Sequence, residues 1–69
     1  MNQIERFLEE KSMTQTKLAE VLGYDVSYVN QVINGKRPIT DAFRWRWMEA
    51  FGVMALRALN GADYEHPTP

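Results

Sequence analysis

Cysteine is absent from the 69 residues, which removes disulfides, thiolate metal sites and cysteine nucleophiles from consideration. One histidine, His66, stands near the C-terminal end, and alone it can build neither a histidine metal site nor a catalytic triad. No run approaches the ~20 apolar residues of a membrane span. The N-terminus lacks the basic-then-apolar order of a secretory signal. A cytoplasmic protein is therefore expected. Strand-like alternation is missing except at Arg44–Trp47, and no internal repeat or low-complexity run occurs. No charge sign dominates, since eight Lys and Arg face nine Asp and Glu, a net of −1.

What is present suits one small globular domain. Apolar residues make up 45% and charged residues 25%, with a mean hydropathy of −0.43, too apolar for a disordered tail. The chain lies just under the ~70–80 residues at which one core becomes comfortably stable, so large aromatics should carry much of the packing. Charge is also unevenly placed. Residues 12–46 hold five cations (Lys17, Lys36, Arg37, Arg44, Arg46) against three carboxylates, a net of +2. The other acids lie towards the two ends.

The punctuation predicts five short helices. Asn2 and Glu5 form an N-x-x-E start like a capping box, with Ile4, Phe7 and Leu8 on one face, and that helix ends near Lys11. Thr14 caps a second helix that turns Leu18, Ala19 and Leu22 inward, and Gly23 closes it. Asp25 caps a third helix with Val29, Val32 and Ile33 as its apolar stripe, closed by Asn34-Gly35. Thr40 caps a fourth with Phe43, Trp47, Met48 and Phe51 inward and Gly52 at its end. A fifth spans roughly Met54 to Asn60 and stops at Gly61. This gives a domain over residues 1–61 and a flexible tail over 62–69. Helices two and three, joined only by Gly23-Tyr24-Asp25, form a helix-turn-helix.

The third helix carries the functional signal. With ~100° per residue and Val29 at the centre of the buried face, Ser27, Gln31 and Asn34 fall on the opposite side. Tyr28 and Asn30 flank them, and Val26 projects from the helix tip. This outward face is uncharged, whereas a solvated face normally carries Lys and Glu. It suits a reader of the DNA major groove. Gln and Asn can bond adenine bidentately, Ser can donate or accept, and Val can pack on a thymine methyl. An amide-rich face also fits an ordinary surface helix, so the flanks decide. A groove reader needs phosphate anchors on both sides. Gln15 lies at the start of helix two, Asn34, Lys36 and Arg37 in the loop beyond helix three, and Arg44 in the first turn of helix four.

Residues 13–35, MTQTKLAEVLGYDVSYVNQVING, resemble the helix-turn-helix of the Cro and phage-repressor (Xre) family. The shared elements are Thr14-Gln15, Leu18-Ala19, Leu22-Gly23, Val29 and Asn34-Gly35. The following GKRPITDAFRWRWMEAFGV is similar to the HigA-like antitoxins, and FGVMALRALNG resembles the closing helix of lambdoid repressors. The resemblance covers residues 2–61. It implies an all-α, compact five-helix, lambda-repressor-like domain that binds double-stranded operator DNA as a homodimer, regulates transcription as a repressor, and lies with the nucleoid in a phage-infected or bacterial cell. Carried across, Val26, Ser27, Tyr28 and Gln31 are the base readers. Gln15 and Asn34 match the family's phosphate contacts, and Asn30, Lys36, Arg37 and Arg44 complete the expected phosphate-contacting set. The chain departs from the pattern at Val26, where many relatives have Gln, at the bulky Tyr28, and at Arg44, Trp45 and Trp47.

The Arg44-Trp45-Arg46-Trp47 cluster also suits a membrane-active or single-strand-stacking role, but Trp47 lies on the core stripe with Phe43 and Phe51. Trp45 points about 200° away from it, either beneath helix five or into a subunit interface. Helix five lacks a polar cap, and Met54, Leu56 and Leu59 are its expected dimer patch, with Leu59 as the member most suited to the core. A second class of function remains open, namely an antitoxin or interaction module whose main partner is a protein such as a toxin. No cofactor, metal or membrane partner is expected. Glu9, Glu10 and Asp41 lack a visible partner or pocket, so an enzyme is not expected.

Overall fold

Three helix starts are fixed by a side chain placed to receive an otherwise orphaned N–H, and these starts set much of the architecture. A computed structural model describes residues 2–63, with side chains described as far as Leu59. The helices are α1 (Gln3–Lys11), α2 (Gln15–Leu22), α3 (Val26–Ile33), α4 (Asp41–Phe51) and α5 (Leu56–Asp63), with a 3-10 turn over Val53–Ala55 before the last. No strand occurs among the described residues, and the fold is all-α with a helix-turn-helix at its centre.

The Asn2–Glu5 capping box forms in full: Glu5 N–H donates to Asn2 Oδ1 at 2.9 Å, and Asn2 N–H donates to Glu5 Oε1 at 3.1 Å. Thr14 Oγ1 accepts from Lys17 N–H, and Thr40 Oγ1 accepts from Phe43 N–H. Such caps are worth about 1 kcal/mol each. Asp25 departs from expectation. It occupies the cap position of α3 but makes no side-chain cap bond, and its Oδ2 instead accepts from Ser27 Oγ at 3.1 Å. The carboxylate is held by a hydroxyl rather than by the helix backbone.

Gly23 ends α2 at φ +80°, a conformation that L-residues adopt only at a cost of about 1–2 kcal/mol. Its N–H and that of Tyr24 both return to Ala19 O, reversing the chain so tightly that α3 packs on α2. α1 packs along α5, and α4 lies against α2 and α5.

The apolar stripes read from the sequence meet in one core, except for Met48, which is half-buried outside it. Ile4, Leu18, Val29, Phe43, Trp47 and Leu59 are its most deeply buried members. The Trp47 indole lies 4.9 Å from the rings of both Phe7 and Phe51 and 6.2 Å from Phe43, and its Nε1–H donates to Ala55 O at 2.8 Å. That bond ties α4 to the 3-10 turn and satisfies the one polar atom of the largest core residue. Trp45, on the other side of α4, is exposed.

The fifth helix differs from its predicted limits. It begins at Leu56 and runs through Gly61 to Asp63. A helix-interior glycine costs only about 1 kcal/mol against alanine, too little to stop a helix packed along α1. The expected boundary at residue 61 thus falls inside α5. The remainder of the expected tail, residues 64–69 with His66, lies outside the described residues.

Candidate nucleic-acid interface

α3 is held by its buried stripe and at its C-terminal end, which fixes the direction of its outer face. Its stripe of Val29, Val32 and Ile33 is buried. At its C-terminal end, Asn2 Nδ2 donates to Ile33 O at 2.7 Å across 31 residues, so the cap of α1 also serves the end of α3. Lys36 and Arg37 N–H groups both reach Gln31 O, at 2.8 and 3.3 Å. Gly35, at φ +78°, makes that reversal possible.

The six predicted phosphate contacts separate into three arrangements. Gln15, Asn30 and Asn34 form a directed chain of amides: Asn34 Nδ2 donates to Asn30 Oδ1, and Asn30 Nδ2 donates to Gln15 Oε1, each at 3.1 Å. The Asn30 and Gln15 oxygens both accept within this chain, so Gln15 Nε2 forms its donor end. That donor stands in the first turn of α2, where backbone N–H groups lack intrahelical partners and the helix dipole favours an anion. The second arrangement is the loop after α3. Lys36 is exposed there, while Arg37 folds back onto α3, its Nε donating to Gln31 Oε1 at 2.8 Å. Arg44, the third, is half-buried in α4 and engaged within the chain.

The four predicted base readers are also unequal. Val26 is 42% exposed at the tip of α3, and Ser27 is exposed with its hydroxyl turned to Asp25. Gln31 is half-buried and gripped by Arg37. Tyr28 is half-buried in an aromatic platform, 4.9 Å from the Tyr24 ring and 6.2 Å from the Phe43 ring, and the Arg37 guanidinium lies 5.7 Å from its centroid.

The predicted dimer residues lie apart from this face. Met54 is 69% exposed and Leu56 half-buried. Leu59 is wholly buried within the chain, so its side chain serves the core and offers no surface to a second copy. Met54 also lines a groove of about 380 Å³ between α1 and α5, with Arg6, Phe7, Lys11, Phe51 and Arg57.

The sequence marks Arg46 as a charge within an aromatic-basic cluster, yet it braces the helix-turn-helix. Its Nη1 donates to Leu22 O at 3.0 Å and its guanidinium lies 5.1 Å from the Tyr24 ring. Nothing local to Arg46 signals this, because its partners are more than 20 residues away. Among the described residues no cluster of metal-ligating side chains occurs, and no helix is long and apolar enough to cross a membrane.

A family model described as helix-turn-helix matches residues 4–53, from α1 into the 3-10 turn. The chain therefore belongs to the helix-turn-helix family of the Cro and phage-repressor type, a class of DNA-binding regulators that are generally not enzymes. The match is to the family as a whole and does not single out the HigA-like branch. No curated protein and no solved structure matches the chain significantly.

Proposed function

We propose that this chain is a sequence-specific transcription repressor that binds an inverted-repeat operator as a homodimer, with α3 in the major groove of each half-site. The carrying observation is the amide chain from Asn34 through Asn30 to Gln15, which ends in a donor at the start of α2, directly beside the uncharged outer face of α3. Neutral donors and acceptors on α3 suit base edges, and donors at a helix N-terminus suit phosphate. Val26, Ser27 and Gln31 contribute base contacts, while Gln15, Lys36 and Arg44 serve the backbone. Tyr28 acts through its position beneath Arg37.

The dimer is proposed to form through the exposed Met54 and the half-buried Leu56. It would set the two α3 helices about one turn of DNA, ~34 Å, apart. Selection from a random duplex library tests the proposal: enrichment of an inverted repeat with half-sites about 10 bp apart is expected. Gln31→Ala should lose about 1–3 kcal/mol on that site and little on random DNA, whereas Lys36→Ala should weaken both alike and lower the salt slope by about 1. Failure to enrich any duplex at low salt would refute the DNA-reading role, since even nonspecific contacts are strong there.

A second reading, a module whose main partner is a protein such as a toxin, draws on the α1–α5 groove, whose lining combines Phe7, Phe51 and Met54 with the cations Arg6, Lys11 and Arg57 and the carboxylate Glu10. Binding of a protein there with no duplex enriched would favour it.

A further inference from the structure

We infer that Arg37 and Gln31 act as one donor unit that reads guanine, so that Arg37 sets the base preference of α3 rather than only anchoring a phosphate. The inference rests on the DNA-binding role proposed above and deepens it. A guanidinium carries N–H donors and no acceptor, so the amide atom facing Arg37 Nε at 2.8 Å is necessarily the oxygen of Gln31. The Nε2 amide group of Gln31 is thereby turned away from Arg37.

Three restraints hold Arg37 in this pose. Its backbone N–H bonds to Gln31 O at 3.3 Å, its Nε bonds to Gln31 Oε1, and its guanidinium lies 5.7 Å from the Tyr28 ring centroid. Tyr28 is itself fixed against Tyr24 and the fully buried Phe43. An arginine serving only as a phosphate tether has no need of an aromatic platform rooted in the core. Much of the side-chain entropy lost on binding has already been lost in the free protein.

The chemistry follows from what each partner can still offer. A glutamine alone reads adenine by accepting from N6 and donating to N7. Here one lone pair of the accepting oxygen is taken by a cation, which weakens that oxygen as an acceptor for adenine N6 and leaves Gln31 Nε2–H and the Arg37 Nη–H groups as the main groups the unit presents, all of them donors. Guanine offers N7 and O6 on its major-groove edge, both acceptors. Adenine and cytosine each place an amino group there, which opposes a donor array. Thymine offers one acceptor beside a methyl group.

The test is in vitro selection with the wild type, Gln31→Ala and Arg37→Met, the last keeping the apolar stem over Tyr28 while removing every donor. Arg37 is exposed, and circular dichroism confirms that each variant is folded before selection. The wild type should enrich guanine at the position whose preference Gln31→Ala erases. Arg37→Met should change that position to adenine and bind the wild-type operator about 10-fold or more weakly. If Arg37→Met weakens all duplexes equally and keeps the same preference, Arg37 is a phosphate anchor and the inference is overturned. Adenine enriched by the wild type at that position overturns it as well. Failure of the wild type to enrich any duplex refutes DNA reading itself, a different outcome from either.

Discussion

Arg46 Nη1 donates to the carbonyl oxygen of Leu22 at 3.0 Å, joining α4 to the last residue of α2 across 24 positions of sequence. That carbonyl is one of the group left without partners at a helix C-terminus, and a cation there also meets the negative end of the helix dipole. The same guanidinium lies 5.1 Å from the ring of Tyr24 in the following turn. One side chain therefore fixes both sides of the turn that aims α3.

Arg46→Ala is expected to lower unfolding stability by about 1–2 kcal/mol, from the charged hydrogen bond and the ring contact together. Gly23→Ala is expected to cost at least as much. Its φ is +80°, and a Cβ there would sit 2.8 Å from Arg46 Nη1. In urea titrations the two losses should not add, because removing Arg46 relieves the clash but not the backbone cost. Simple additivity would show that the brace does not constrain the turn.

Breaking the amide chain should weaken DNA binding without unfolding the protein. Asn30 and Asn34 are exposed, so Asn30→Ala should change stability by less than about 0.5 kcal/mol. Its effect on operator and random duplex should be similar, since the chain orients a phosphate donor rather than a base reader. Gln15→Ala and Asn30→Ala should overlap in anisotropy titrations, the double variant binding little worse than Gln15→Ala alone. Independent, additive losses would mean that Asn30 makes its own contact.

Trp47 should be close to indispensable for folding. A chain of this size is expected to have about 3–10 kcal/mol of stability, and Trp47→Ala removes about 3–5 kcal/mol by cavity formation alone. Trp47→Phe keeps a ring among Phe7, Phe43 and Phe51 but leaves Ala55 O without its donor. It should cost about 1–3 kcal/mol and be measurable by thermal unfolding. An unchanged Tm for Trp47→Phe would show that the indole bond contributes nothing.

Met54→Asp separates dimer formation from folding. Met54 is 69% exposed, so the fold should survive while the proposed dimer is lost. Sedimentation should then report a monomer, with operator affinity falling far more than affinity for a single half-site. A wild type that is monomeric on its operator would contradict the dimer.

Local chemistry was the legible part of the sequence. The Asn2–Glu5 box, Thr14, Gly23 and Thr40 each carry their donor, acceptor or backbone freedom within four residues, and the apolar stripes of α1–α4 repeat at the helical period. Asp25 has the residue type of a cap, but its carboxylate turns to the Ser27 hydroxyl, and residue type alone does not show which of these it meets. Gly61 misled because an isolated glycine weakens a helix without ending it. The bonds from Asn2 to Ile33, Arg46 to Leu22 and Trp47 to Ala55 were not legible, because each depends on the packing of separate helices. The Arg37–Gln31 pair spans only six residues, but it needs the reversal at Gly35 and the platform under Tyr28 to form.

The most direct test is to titrate duplex DNA at low ionic strength into 15N-labelled protein and map the backbone amide shifts. The largest changes should fall on Gln15 and Thr16, on Val26 through Gln31, and on Lys36 and Arg37, with the α1–α5 groove around Arg6 and Arg57 unaffected. Shifts concentrated on that groove, or none on α3, would contradict the assignment of α3 as the DNA-reading element.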